Sequence, residues 1–198
     1  MSAFMLRKVV FMTEKKKSLM KIILEYAKIV VISFVLVLIM TNFFLRPVQV
    51  SGSSMYPTLV DGELGFTNIF TLNNAGIKRF DVVVAKLDYN GDYIVKRVIG
   101  LPFDVVEFKN GLLYINDIHV EETFLNQEYV LSQSQLEVDK LFTKDYGPIT
   151  LAENEYFLLG DNRLHSTDSR VFGVFTRDKI LSKSVYIWFP FNSMKVVD

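Results

Sequence analysis

One long apolar block dominates the first quarter of the chain. Residues 29–45 contain no charged side chain, and a helix made of them would be roughly 26 Å long. With Tyr26, Ala27 and a Lys28 whose ammonium reaches the interface, the block approaches the ~30 Å hydrocarbon core of a bilayer. Because it is apolar on every side, the block predicts a retained transmembrane helix over 29–47 rather than an amphipathic core helix.

After residue 47 the pattern changes to short runs of β-branched and aromatic residues that are separated by turn signals. Two of these signals, Asn90-Gly91 and Asn110-Gly111, are typical of hairpins. The first predicts that the strand carrying Lys96 returns beside residues 81–86. The runs predict an all-β, mostly antiparallel domain with little helix over 48–198, with strands at Val48–Val50, Asp81–Ala85, Tyr93–Ile99, Asp104–Phe108, Leu112–Ile115, Tyr156–Leu159 and Val185–Phe189.

The stretch 121–147 departs from this pattern, because it is more polar and has neither a strand nor a helix period. A segment of this length without its own secondary structure is uncommon inside a compact domain. We therefore expect an insertion or an extended loop that lies away from the chemistry.

Charge is distributed unevenly along a chain that is neutral in total, with 22 basic and 22 acidic residues. Residues 1–28 hold seven of the basic and two of the acidic side chains. The positive-inside tendency predicts a cytoplasmic N-terminal segment over 1–28 and an extracytoplasmic domain over 48–198, in a cell membrane crossed once. A cleaved secretory signal is the alternative, but residues 41–46 offer no pair of small residues for cleavage. The sequence after residue 47 has no basic patch of the kind that binds nucleic acid, so we expect no nucleic-acid partner.

Composition also limits the chemistry. The chain has no cysteine, which excludes disulfides and thiolate metal sites. Its two histidines, His119 and His165, lie far apart in sequence, and no metal-binding motif is present. We expect no metal and no cofactor.

Two segments could activate a weakly reactive side chain. Lys96 lies on a predicted strand where Ile94 and Val98 share its face, and apolar neighbours lower a lysine pKa by desolvation. Ser54 lies in a run of small residues, Ser51-Gly52-Ser53-Ser54, whose bent backbone can direct amides at an oxyanion. Taken singly, each has a plainer interpretation: an edge-strand lysine that keeps its ammonium in water, and an ordinary turn.

Three sequence boxes, in order behind a membrane anchor, resemble those of the type I signal peptidases (leader peptidases), of the Gram-positive kind. These are membrane-bound serine proteases that remove signal peptides from exported preproteins. Residues 54–59, Ser-Met-Tyr-Pro-Thr-Leu, are similar to the nucleophile box. Residues 96–102, Lys-Arg-Val-Ile-Gly-Leu-Pro, are similar to the base box. Residues 160–170, Gly-Asp-Asn-Arg-Leu-His-Ser-Thr-Asp-Ser-Arg, are similar to the third box.

The resemblance implies a role for particular side chains. Ser54 is expected to be the nucleophile and Lys96 the general base of a Ser-Lys dyad. Ser166 is expected to orient the Lys96 amine, and Asp168 and Arg170 to form a supporting ion pair. The turn that brings the third box to Ser54 is expected to depend on Asp161, Asn162 and Arg163.

One departure from the family concerns the oxyanion hole. Many members have a second serine two residues before the nucleophile, and this chain has Gly52 there. Stabilisation of the oxyanion would then depend on the Ser54 amide, with Gly52, Ser51, Ser53 or a water as weaker candidates.

The resemblance also implies the substrates and partners. These are signal peptides with small residues one and three positions before the cut, membrane lipid and the secretion translocon. Two aromatic groups are typical of membrane interfaces. One is Trp188-Phe189-Pro190-Phe191 near the C-terminus, and the other is Phe43-Phe44 at the predicted helix exit. A surface formed by these aromatics would bring the site to the bilayer.

Three alternatives remain open at this stage. A non-catalytic assembly factor or chaperone for surface structures could keep the same fold, although such proteins tend to lose the dyad. A self-cleaving Ser-Lys protease of the SOS-repressor type would carry a DNA-binding domain in place of the membrane helix. A Ser54-His165-Asp168 triad is also conceivable, since His165 lies in the third box.

Overall fold

The computed structural model describes residues 3–41, 45–89, 91–135 and 141–198, and its contacts divide the chain into units 1–43 and 44–198. The first unit is one helix, α1 (Ala3–Ile39). Its part from Met20 to Ile39 is, by length and composition, able to span a membrane, and the side chains of that part are exposed. An exposed apolar surface on every side fits the uniform apolarity that predicted an anchor.

The bounds of the helix differ from the predicted segment 29–47. The α-helix begins far upstream of residue 29 and ends at Ile39, and residues 45–49 already form a strand. Pro47 lies inside that strand, and a proline there would remove a hydrogen bond from a helix. The Phe43-Phe44 pair lies outside the described residues.

Two antiparallel sheets form the second unit, which confirms the predicted fold class. Its strands are, in chain order, β1 (Leu45–Gln49), β2 (Leu64–Asn68), β3 (Val82–Lys86), β4 (Tyr93–Gly100), β5 (Val105–Lys109), β6 (Leu112–Ile115), β7 (Ile118–His119), β8 (Tyr146–Thr150), β9 (Glu155–Leu159), β10 (Phe175–Thr176), β11 (Ile180–Phe189) and β12 (Lys195–Val197). The larger sheet has the order β1-β2-β11-β3-β4-β9-β10, and β12 also pairs with β11. The smaller sheet has the order β7-β6-β5-β8.

The strand that carries Lys96 lies in the middle of the larger sheet. β4 pairs with β3 on one side and β9 on the other, as the prediction of a return beside residues 81–86 requires. Lys96 lies opposite Val83 in that pairing. Asn90, half of the hairpin signal between the two strands, is outside the described residues.

Strand β11 organises the other half of this sheet. Along one edge it pairs with β2, and along the other it pairs first with β3 and then with β12. Register shifts interrupt both the β2 and the β3 pairings, and such bulges bend a strand and increase its twist. This ten-residue strand thus lies between β2, which follows Ser54 in the chain, and β3, which precedes Lys96 and pairs with its strand.

Three apolar clusters form the core. The first joins β3, β4 and β9 through Val83, Val98 and Leu158, the second lies between the two sheets around Phe108 and Phe157, and the third includes Met55 and Leu59. The last two residues belong to the nucleophile box. The core therefore fixes the backbone on both sides of the candidate dyad.

Helix is limited in the second unit but not absent. Its described residues include, besides two short 3-10 helices, α2 (Ile69–Ala75), α3 (Gln127–Gln135) and α4 (Ser169–Phe172). Helix α3 lies within 121–147, where an insertion or extended loop was expected. The Asn126 side chain accepts a hydrogen bond from the Tyr129 amide, a local N-cap that starts this helix despite its weak apolar period.

Candidate active site

The Ser54 loop connects β1 to β2 and is fastened at its base. The Val50 amide donates to the Glu63 carbonyl and the Gly62 amide to the Val50 carbonyl. Within the loop, the Leu59 amide donates to the Met55 carbonyl, and both side chains are buried. The loop is therefore anchored by core residues on the C-terminal side of Ser54.

Lys96 lies next to Ser54 in space, although 42 positions separate them in sequence. Lys96 Nζ and Ser54 Oγ are 2.7 Å apart in a hydrogen bond. Lys96 is only 3% exposed, and both Ile94 and Val98 on its strand pack in the same apolar cluster. The predicted apolar face of the strand is therefore present.

This environment changes the protonation of the lysine. Burial lowers the pKa of Lys96 to about 8, although the nearby charges of Asp168 and Asp161 oppose the shift. Desolvation penalises the ammonium because the apolar neighbours replace its water. A large fraction of Lys96 is consequently neutral at mildly alkaline pH, where the amine can accept a proton from Ser54.

The third box reaches Ser54 through its backbone. The Asn162 amide donates to the Ser54 carbonyl (3.1 Å), and the Asn162 side chain donates to the Ser53 carbonyl (3.0 Å). Gly160 packs so closely that an added Cβ would lie 2.4 Å from the Ser54 carbonyl oxygen and 2.2 Å from Ser166 Oγ. Only a glycine allows this approach.

Asp161 links the third box to the other two boxes. Its carboxylate accepts two hydrogen bonds from Arg97 (2.9 and 2.8 Å) and one from the Thr58 hydroxyl (2.6 Å). Asp161 and Arg97 are 1% and 3% exposed. A bidentate pair of this kind fixes direction as well as distance. It therefore orients the strand that carries Lys96 against the loop that contacts Ser54.

Asp168 and Arg170 form the expected ion pair. Two nitrogens of Arg170 donate to the Asp168 carboxylate, each at 2.8 Å, and the Gly160 amide donates to it at 3.1 Å. Burial alone raises the pKa of Asp168, but these hydrogen bonds more than offset it, so the pKa lies below its usual range. Asp168 is therefore an anion that favours a positive charge on Lys96.

Ser166 lies at the same place without a fixed partner. It is near enough to Asp168 to help lower the pKa of that carboxyl, but its buried Oγ has no hydrogen bond of standard geometry with a described residue. The expected bond to Lys96 is thus not formed in the structure. The role of Ser166 stays a prediction.

Arg163 is held by residues that the sequence did not indicate. Its guanidinium donates to both Glu122 oxygens and to the Thr143 hydroxyl, and its side chain is fully buried. Glu122 and Thr143 both belong to 121–147. The expectation that this segment lies away from the chemistry is therefore wrong for its described part. The physical reason is that the buried Arg163 guanidinium needs polar and negatively charged partners, and this polar segment supplies them.

The alternative base and the oxyanion candidates can also be placed. His165 is exposed, whereas the Ser54 hydroxyl is bonded to Lys96 and Asp168 to Arg170. Gly52 has no hydroxyl, and its φ of +83° is a conformation that would strain a serine at this position. The Ser53 side chain is exposed. Among the described residues, no group of three histidine or acidic side chains could hold a metal ion.

Known proteins resemble the chain over most of its length. The family described as signal peptidase, peptidase S26, matches residues 23–189. Signal peptidase I S of Bacillus subtilis (strain 168) is 44% identical over 184 residues, which cover 91% of this chain and 95% of that protein. Signal peptidase IB of Staphylococcus aureus (strain COL) is 37% identical over 180 residues, 88% of this chain and 94% of that protein.

A solved structure is also similar. The crystal structure of a signal peptidase I from Enterococcus faecalis V583 is 31% identical and covers 54% of this chain and 95% of that chain, with a TM-score of 0.48.

Proposed function

We propose, since the chain belongs to the signal peptidase family, peptidase S26, that Ser54 and Lys96 form the dyad with which it cleaves its substrates. The protein is a serine peptidase that removes signal peptides. No observation favours the non-catalytic assembly factor.

The reaction begins with proton transfer between the two side chains. Neutral Lys96 takes the Ser54 proton while Ser54 Oγ attacks the carbonyl carbon of the scissile peptide bond. The resulting ammonium gives its proton to the leaving amine, so the peptide bond breaks and an acyl-enzyme forms. Lys96 then takes a proton from the water that attacks the ester, and it gives this proton to Ser54 Oγ as the ester bond breaks, which releases the signal peptide as a free acid and restores both side chains.

The surrounding charges keep Lys96 usable in both protonation states. The apolar cluster destabilises the ammonium, which makes the neutral base accessible, while Asp161 and Asp168 stabilise it once it has taken the proton. Ser166 would restrict the rotation of the amine. The Ser54 amide is the main donor proposed for the oxyanion, because Gly52 carries no hydroxyl.

The observation that carries this proposal is the 2.7 Å contact between Ser54 Oγ and a buried Lys96 whose pKa is about 8. A base must be deprotonated to act, so kcat/KM should rise with pH and level off above a midpoint near 8. The test is cleavage of a signal-peptide substrate in detergent from pH 6 to 10, by the wild type and by Ser54→Ala, Lys96→Ala and His165→Ala.

We expect His165→Ala to retain the wild-type profile and the two dyad variants to lose about 10³-fold or more in kcat. Retained activity in Lys96→Ala would overturn the assignment of the base. A wild type that cleaves no signal peptide would instead favour the assembly role.

For substrate preference we propose small residues one and three positions before the cut, as the family resemblance implies. A peptide set that varies these two positions one at a time tests this. Equal cleavage of alanine and phenylalanine at either position would contradict it.

We further propose a single membrane crossing with the N-terminus in the cytoplasm and the second unit outside, where the secretion translocon delivers substrates. The excess of basic residues before residue 29 supports this orientation. Protease added to intact cells should remove the second unit and leave a short N-terminal fragment. Protection of the second unit until the membrane is opened would reverse the orientation.

Contact with lipid by the second unit is proposed for the aromatic group Phe66, Trp188, Phe189 and Phe191, whose rings lie within 6.5 Å of one another in successive pairs. Phe191 is 71% exposed. Binding of residues 45–198 to phospholipid vesicles tests the idea. Phe191→Ser should weaken binding, whereas Phe103→Ser, which changes an equally exposed phenylalanine (70%) elsewhere, should not; equal effects would reject a specific surface.

A further inference from the structure

One short segment, residues 122–129, contacts all three catalytic boxes, and we call it the strap. At its start Glu122 binds Arg163 of the third box through both carboxylate oxygens. The Arg163 side chain is completely buried and Glu122 is largely so. A buried guanidinium needs such a partner, so Glu122 holds the strap on the third box.

In the middle of the strap, Phe124 packs on the base box. The Arg97 guanidinium lies over its ring, 4.3 Å from the centroid, and the Phe80 ring is 4.8 Å away. Arg97 directly follows Lys96 and is itself bound to Asp161. Phe124 thus covers the ion pair that connects the base strand to the third box.

At its end, the strap reaches the nucleophile box through Tyr129. The Tyr129 ring meets the ring of Tyr56 edge-on at 5.1 Å, and the Phe142 ring at 6.1 Å. Tyr56 is only two residues from Ser54. Burial and the neighbouring Tyr56 raise the pKa of Tyr129, while the nearby Asn162 side chain opposes the rise.

Asn162 is a neighbour of Tyr129 that binds the backbone at the reacting serine. It is 3% exposed, and its backbone amide and side-chain amide bind the carbonyls of Ser54 and Ser53. Tyr129 therefore lies beside the Ser54 loop on two sides: its ring packs on Tyr56, and its hydroxyl lies near the Asn162 side chain. No other strap side chain has this double connection among the described contacts.

We propose that Tyr129 is a positioning residue of the signal peptidase reaction, which acts through Asn162 and Tyr56 to hold Ser54 at the distance from Lys96 that proton transfer needs. This inference rests on the proposed function of the dyad. Tyr129 does not touch the reacting atoms. It restrains the loop that carries them, and a misplacement of about 1 Å at a catalytic group can cost ~10²-fold in rate.

The test is steady-state cleavage of a signal peptide by the full chain in detergent, with Tyr129→Phe, Tyr129→Ala, Asn162→Ala and the double variant Tyr129→Phe/Asn162→Ala. Tyr129→Phe removes the hydroxyl and should lower kcat about threefold to tenfold with little change in KM. Tyr129→Ala also removes the ring and should lower kcat further. Leu131→Ala, an exposed side chain on the same helix, and Tyr89→Phe, an exposed tyrosine elsewhere, should match the wild type.

The double variant separates positioning from general stability. If the hydroxyl acts through Asn162, Tyr129→Phe costs nothing more once Asn162→Ala is present, whereas independent structural effects add. Additive losses, or a KM rise at constant kcat, would overturn the proposal, as would wild-type kcat in Tyr129→Ala. In the same assay, a wild type that cleaves nothing or a Ser54→Ala variant that stays active would contradict the proposed dyad and not the proposed role of Tyr129.

Discussion

At the scale of single residues, Lys96 shows most directly how the fold creates a reagent. An exposed strand lysine would be fully protonated at neutral pH, because its ordinary pKa is about 10.4. Here burial in the apolar cluster lowers the pKa to about 8, and the hydroxyl of Ser54 lies 2.7 Å away. The base role proposed for Lys96 and its cost in stability have the same physical cause, because both come from an ammonium that has lost its water.

That cost should be measurable with Lys96→Met, which keeps the length of the side chain and removes the charge. Below pH 8 both the folded and the unfolded wild type are protonated, so the folded state bears the full penalty, about 3 kcal/mol for a shift of this size. Between pH 8 and 10.5 the folded lysine has lost its proton and the penalty disappears as pH rises. Thermal unfolding should show that Lys96→Met is more stable than the wild type at pH 7, by an amount that shrinks towards pH 10.

The matched control is Lys86→Met, since Lys86 is exposed on the neighbouring strand. It should leave the unfolding temperature nearly unchanged at every pH. A stability difference for Lys96→Met that stays constant from pH 7 to 10 would contradict the assigned cause.

Gly160 is the residue where close packing is most demanding. In Gly160→Ala, the new methyl group would lie 2.4 Å from the Ser54 carbonyl oxygen, a backbone atom that cannot rotate away. We expect kcat for signal-peptide cleavage to fall about 10²-fold, because the third box must retreat from the nucleophile loop. Gly76→Ala is the control, since its Cβ would meet nothing within 4 Å. The Gly76→Ala variant should lose some stability, because its φ is +67°, but it should retain its kcat. A Gly160→Ala variant with the kcat of the wild type would show that the close contact is dispensable.

At the scale of elements, the central fact is that β4 and the third box are joined through a buried ion pair. Arg97 lies on the base strand and Asp161 in the loop after β9. The Asp161 carboxylate also accepts a hydrogen bond from the Thr58 hydroxyl of the nucleophile box. Each of the three boxes lies on a different element. Their relative positions are therefore set by a few directional contacts rather than by the local structure of any one element.

Asp161→Asn tests this connection and has a pH consequence. It leaves the Arg97 guanidinium buried without its charge partner, which costs about 3–5 kcal/mol in comparable sites. It also removes one of the negative charges that raise the pKa of Lys96. The residual activity should therefore rise at lower pH than in the wild type, with a midpoint below 8. The exposed Asp178, changed to asparagine, should alter neither stability nor midpoint; a midpoint that moves upward in Asp161→Asn would refute the electrostatic account.

At the scale of the whole molecule, the chain consists of an apolar helix and a compact β unit. All three core clusters, the dyad and the third box come from residues 50–197. The strand Leu45–Gln49 pairs with β2 and so belongs to the same unit. The β unit should therefore fold without the helix.

A fragment of residues 45–198 is expected to unfold cooperatively and to cleave short signal peptides in detergent with a kcat within about threefold of the full chain, because no core contact is lost. Cleavage of preproteins embedded in vesicles should fall more strongly, since the membrane no longer concentrates the enzyme. Circular dichroism during heating and parallel kinetics provide the measurements. A fragment that starts at residue 50 lacks β1 and should be less stable; an unfolded 45–198 fragment would show that the helix contributes to the fold.

The residues around the candidate site differ in whether a local motif marks them. Ser54, Lys96 and the residues of the third box stand in three local motifs, so their candidacy was visible without any coordinates. Glu122, Phe124 and Tyr129 carry no local motif. They matter only because the chain brings a polar segment back against Arg163, Arg97 and Tyr56, a contact over 41 positions in the first case and 73 in the last.

The apolar helix, the antiparallel β class and the chemical identity of the candidate dyad can all be predicted from the sequence, because each depends on a local pattern: an uncharged run, a period of two, or a short motif. Four features could be read only from the folded domain: the end of the helix at Ile39, the burial that lowers the pKa of Lys96, the close contact at Gly160, and the place of residues 122–129 beside the three boxes. These depend on which distant groups exclude water or neutralise a charge, and such partners are chosen by the packing of the complete domain.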